Sequence, residues 1–131
     1  MRLTPLILAL AIAAPAAAQD VEKFNLYCQE VEDDGRLSTV LDHHFSLDLE
    51  TMTVCREGHS RCWEVVRQGR FLELSYAFND GRDDWQMFRL YDPASRWLVQ
   101  NIRKVGEPGM DYGSAQCEVR PFRSLAPDTG D

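Results

Sequence analysis

Phe45-Ser46-Leu47-Asp48-Leu49-Glu50-Thr51-Met52-Thr53-Val54-Cys55 runs directly into Arg56-Glu57-Gly58-His59-Ser60-Arg61-Cys62. Phe45, Leu47 and Leu49 alternate with Ser46, Asp48 and Glu50, the period-2 pattern of a half-buried strand. Glu50-Thr51-Met52 reads as a tight turn and Thr53 to Cys55 as the returning strand. The short loop that follows is bracketed by Cys55 and Cys62, so a disulfide can close it without long-range folding.

The same alternation recurs on either side. Phe24, Leu26 and Cys28 give a first strand, Glu-Asp-Asp-Gly at 32–35 a turn, and Leu37 to Leu41 a second strand. Asp42-His43-His44 either interrupts that strand or continues it. Ser60 to Gln68 fits a strand better than a helical turn, because Gly69 ends it early. Leu72, Leu74, Tyr76 and Phe78 form the clearest strand, and Asp80-Gly81 then marks a hairpin. Trp85 to Tyr91 and Trp97 to Ile102 are further strands. Residues 105–114 read as a Gly- and Pro-containing loop. Gln116 to Phe122 is the last strand, and Pro121 implies that it lies at an edge or frays. The fold expected is all-β: an antiparallel meander of about 7–8 short strands closing into a small barrel or sandwich.

Arg2, the apolar run Leu3 to Ala14 and Pro15-Ala16-Ala17-Ala18 have the layout of a signal peptide over residues 1–18. The run is shorter than the roughly 20 residues of a membrane span, so no anchor is expected after cleavage. Residues 19–124 then form one domain of about 100 residues, with a loose tail at 125–131. The destination expected is bacterial export, periplasmic or secreted.

In an exported chain four cysteines imply two disulfides. The pairing expected is Cys55–Cys62 and Cys28–Cys117. In the chain-entropy model the first contributes about 2.5 kcal/mol and the second about 4.6 kcal/mol, because it closes a far longer loop. The net charge of −7 at pH 7 disfavours nucleic acid and anionic membrane as partners.

Few residues point to chemistry. Cys55, His59 and Cys62 with His43-His44 do not have zinc-site spacing, and no metal or cofactor is expected. Asn79-Asp80-Gly81-Arg82-Asp83-Asp84 fails as a calcium loop, since Tyr76 and Phe78 would stand at ligand positions. Asp42, His43 and His44 with Ser38 or Ser46 lack any nucleophile elbow. Trp85, Met87 and Tyr91 fall on one face of an unusually apolar strand, with Arg89 among them and Phe88 and Leu90 opposite. Either another segment covers this second face, which is the favoured reading, or, with Phe88 and Leu90 facing the core, the other three form an exposed contact patch.

The function expected is that of a small non-catalytic binding module recognising or inhibiting a periplasmic or extracellular protein. In size, export and paired cysteines the chain is similar to small periplasmic lysozyme inhibitors, without their Ser-Gly-x-x-Tyr signature. The alternative is a carrier of a small apolar ligand inside the barrel, and a hydrolytic enzyme ranks third.

Overall fold

The computed structural model describes residues 22–109 and 111–128, and the signal-peptide segment lies outside them. Ten strands follow in order: β1 (Lys23–Val31), β2 (Leu37–Asp48), β3 (Thr53–Arg56), β4 (Trp63–Glu64), β5 (Val66–Gln68), β6 (Phe71–Glu73), β7 (Tyr76–Asn79), β8 (Asp84–Tyr91), β9 (Trp97–Lys104) and β10 (Asp111–Arg120). All pairings are antiparallel, and the hydrogen-bonded order is β4-β3-β2-β1-β10-β9-β8-β6-β5, with β7 also on β8. The two ends of that order, β4 and β5, are separated only by Val65. The chain therefore steps from one end of the sheet to the other, and the sheet is nearly closed into a barrel.

The number of strands exceeds the 7–8 expected because two expected strands are broken. Val65 bends the 63–68 stretch: its N–H donates to Met52 O at 2.8 Å while the flanking pairs turn to different neighbours. Leu74 and Ser75 interrupt the 71–79 stretch, where the Ser75 hydroxyl accepts from the Arg89 N–H in place of a backbone carbonyl. Asp42-His43-His44 continues β2 without a break. The last strand starts at Asp111, in the expected loop, and ends at Arg120, just before Pro121. It is not an edge: β1 pairs on one side of it and β9 on the other. The tail is tied at Leu125, whose N–H donates to Ser46 Oγ at 3.0 Å, and by Asn25, bonded twice to the Arg123 backbone.

Both disulfides are formed as expected, Cys28–Cys117 and Cys55–Cys62. Cys28 and Cys117 face each other directly across the β1–β10 ladder, so the bond staples the first strand to the last. Around it the inward residues Phe24, Leu26, Phe45, Leu47, Val54, Val65, Leu72, Leu74, Tyr91, Leu98 and Ala115 pack into one core. Burying each large side chain contributes about 1.5–3 kcal/mol.

Asp80-Gly81 sits in the hairpin joining β7 to β8, but the turn is not type I′. The loop is four residues, closed by Asp80 N–H to Asp83 O, and only Gly81 has positive φ, at 93°. Asp80 Oδ1 accepts from the N–H of Arg82 and Asp83, and Asp80 Oδ2 accepts from Trp85 Nε1. A Cβ at Gly81 would meet nothing within 4 Å, so Gly81→Val carries backbone strain alone. Chemical denaturation should show a loss of about 1–2 kcal/mol; an unchanged midpoint would mean that the loop rearranges.

Candidate functional site

The ladder between β5 and β6 pairs Val66 with Glu73 and Gln68 with Phe71, and then stops. Extending its register would set Cys62 opposite Ala77. Instead the two stretches diverge, leaving a split of about 890 Å³ lined on one side by His59 to Trp63 and on the other by Ser75 to Asn79. Leu74 N–H donates to Arg89 O and Asp80 N–H to Asp83 O, which makes Tyr76 and Phe78 the residues bonded to β8. The main-chain N–H and C=O of Ala77 and Asn79 then point away from β8, into the split. Trp63 spans its base, where Nε1 donates to Leu74 O at 3.0 Å.

Rings line this opening. His59 and Trp63 have centroids 5.9 Å apart, Trp63 and Tyr76 4.7 Å, and Tyr76 and Phe78 5.6 Å, and Phe78 stacks on Trp85 at 6.5 Å. The disulfide loop presents His59. A tight turn closes from His59 N–H to Arg56 O, with Gly58 at φ 80° in the position where a type II turn requires it.

Below the rings the barrel interior turns polar. Arg56 Nη2 donates to His43 Nδ1 at 2.6 Å, and Arg56 Nη1 lies 3.4 Å from His59 Nε2. Arg89, 1 % exposed, donates through Nε to Gln100 Oε1, and Gln100 Nε2 donates in turn to Glu30 Oε1 at 2.8 Å. The Arg56 and Arg89 guanidinia lie 5.9 and 5.3 Å from the centroid of the Phe45 ring. Arg89 also sits over Tyr76, at 5.5 Å. Because Arg56 can only donate, His43 Nδ1 must accept, so the proton of the neutral ring is on Nε2. That N–H and Arg89 Nη1 are buried without an acceptor.

Burial, then the positive charges of Arg56 and Arg89, push the His43 pKa down to about 4, against a weaker upward pull from Asp42. The same causes lower that of His59. The unfolded chain therefore binds the extra proton first, and the stability present above about pH 6.5 is lost as pH falls towards 4. Between pH 7 and 5 the loss through His43 should be about 2 kcal/mol. Urea titrations at the two pH values check this: His43→Gln should remove most of the slope, and an unchanged slope would place the titration elsewhere.

Trp85, Met87 and Tyr91 do share a face, but it is the inner one. Tyr91 is 1 % exposed and belongs to the core. Trp85 is half-buried between Phe78 and the Asp80 carboxylate, and Met87 half-buried between Tyr76 and Ile102. Phe88 and Leu90 point outward, the reverse of expectation, because the Gln100–Glu30 pair allows Arg89 to be buried. An exposed patch of these three residues does not exist.

Of the imagined hydrolase constellation only Asp42 and His44 come together, Oδ2 3.8 Å from Nε2 with Tyr27 Oη donating to the same oxygen, and neither serine hydroxyl bonds to a histidine. His43 faces the interior and His44 the exterior, where it lies against Tyr27. Ser38 Oγ accepts from Val40 and Leu41, and Ser46 Oγ from Leu125. Cys55 and Cys62 are disulfide-bonded and so are not thiolates.

No family model, curated protein or solved structure matches the chain. A functional reading rests on the split and the residues beneath it. Sequence reasoning missed both. The one signal available was Arg89, a cation among apolar residues that share its face.

Proposed function

We propose that this protein is a non-catalytic recognition module that takes an extended polypeptide segment into the split, adding a strand to β7. The observation that carries this reading is the free edge at Ala77 and Asn79, facing a ring-lined opening with room for a few residues of chain. In strand addition, main-chain hydrogen bonds supply affinity and pockets for alternate side chains supply selectivity. Trp63, Tyr76 and Phe78 are the anchors such a segment would meet. The partner would be a periplasmic or extracellular protein offering a loop or terminus. The two disulfides fit such a compartment. Among the described residues no helix is long and apolar enough to cross a membrane.

An apolar ligand inside the barrel is less well supported. The interior is filled by Phe45, Leu47, Leu26 and Tyr91 on one level and by Arg89, Gln100 and Glu30 on another.

The test is a library of synthetic extended hexapeptides, followed by N-methylation of the best binder one amide at a time. Binding should vanish on methylation at alternate residues and persist at the others. Ala77→Pro removes a donor that faces the split and leaves the β8 ladder intact. It should keep the thermal midpoint and lose the peptide. Binding indifferent to both changes, or no binder in the library, removes the reading.

A further inference from the structure

Beneath the split, two guanidinium groups are accompanied by one carboxylate, Glu30, which bonds neither directly: its Oε1 accepts from Gln100 Nε2 and its Oε2 lies 3.7 Å from His43 Nε2. Arg56 and Arg89 flank the Phe45 ring, and Glu30 reaches Arg89 only through Gln100. Arg89, 99 % buried, still has Nη1 without an acceptor. A buried donor left unpaired is costly, and an unpaired buried charge more so. The chain carries a net charge of −7, yet this interior has a surplus of positive charge and of N–H donors. Arg56 is only partly buried and lies against His59, which lines the opening, while Arg89 lies behind the Tyr76 ring. The route from the split therefore meets Arg56 first and the field of Arg89 behind it.

From this arrangement we infer that the floor of the split is a carboxylate subsite: the bound segment places an acidic side chain or its C-terminal carboxylate against Arg56, facing Arg89. This deepens the strand-addition reading and rests on it for the identity of the ligand, though not for the chemistry of the subsite. Arg61, on the same rim, adds charge of the same sign.

The probe is 3-phenylpropionate, which pairs a ring with a carboxylate, compared with 3-phenylpropionamide. Both are titrated against the whole folded protein, following the Trp63 indole N–H by NMR. A charge-assisted hydrogen bond in place of a neutral one should make the acid bind about tenfold more tightly or better. Arg56→Gln should abolish that ratio and Arg56→Lys retain part of it. Equal binding of acid and amide, or no saturable shift with either, overturns the inference. The wild-type ratio alone decides this, should Arg56→Gln fold poorly. A peptide ending in Glu-amide, set against one with a free C-terminal carboxylate, distinguishes the two sources. An acid preference without peptide binding sinks strand addition and leaves the subsite standing. N-methyl-sensitive peptide binding without an acid preference does the reverse.

Discussion

Phe45→Ala should cost about 3–5 kcal/mol of stability, as truncation of a buried Phe does. Phe45 is 0 % exposed, pairs across β1 with Leu26, and is the apolar surface against which both interior guanidinia rest. Its loss opens a cavity directly beneath two cations, which the surrounding chain cannot close without burying charge against charge. Phe88→Ala, on the outer face of β8 and half-buried, should cost less. Urea denaturation of both variants makes the comparison. Equal losses would mean that the inner and outer faces of β8 have been exchanged, and with them the position of Arg89.

Replacing Cys28 and Cys117 together by alanine should lower stability by about 4.6 kcal/mol, against about 2.5 kcal/mol for the Cys55–Cys62 pair, from the difference in loop length. A domain of this size has only about 5–15 kcal/mol in total. The first double variant should therefore stand near the edge of unfolding at moderate temperature, and the second should remain folded. Thermal melts without reductant distinguish them. If the short-loop variant is the less stable of the two, loop entropy is not what the long disulfide contributes. The Cys55–Cys62 variant should show its effect elsewhere, because this loop holds His59 at the mouth of the split.

Local patterns in the sequence were enough for the class of fold and for both disulfides. Alternation at Phe24-Leu26-Cys28 and at Phe45-Leu47 puts Cys28 and its neighbours inward, and a short loop makes Cys55–Cys62 the economical partner choice. What failed were residues whose placement depends on a distant partner. Arg89 suggests a wet face until Gln100 and Glu30 stand beside it, and with that error Phe88 and Tyr91 exchange places. Gly113 read as loop, yet it is a strand residue whose missing side chain leaves room for the interior polar pair: a Cβ there would lie 3.4 Å from Glu30 Oε1 and from Gln100 Nε2. The split is the extreme case. It arises where two stretches that pair at one end part at the other, and no pattern within either stretch marks the point of departure.

The one-sided pairing of β7 leaves a signature in time as well as in space. Exchange of a main-chain amide with solvent deuterium is slowed by its own hydrogen bond and by the cost of opening the surrounding structure. Along Tyr76-Ala77-Phe78-Asn79 that protection should alternate residue by residue, slow at Tyr76 and Phe78, which are held to β8, and fast at Ala77 and Asn79. Along β1 from Asn25 to Gln29, held by β2 on one side and by β10 on the other, neighbouring amides should exchange at comparably slow rates. A segment seated in the split would convert the first pattern into the second, so the empty and occupied states carry different isotope clocks on two residues of one short strand.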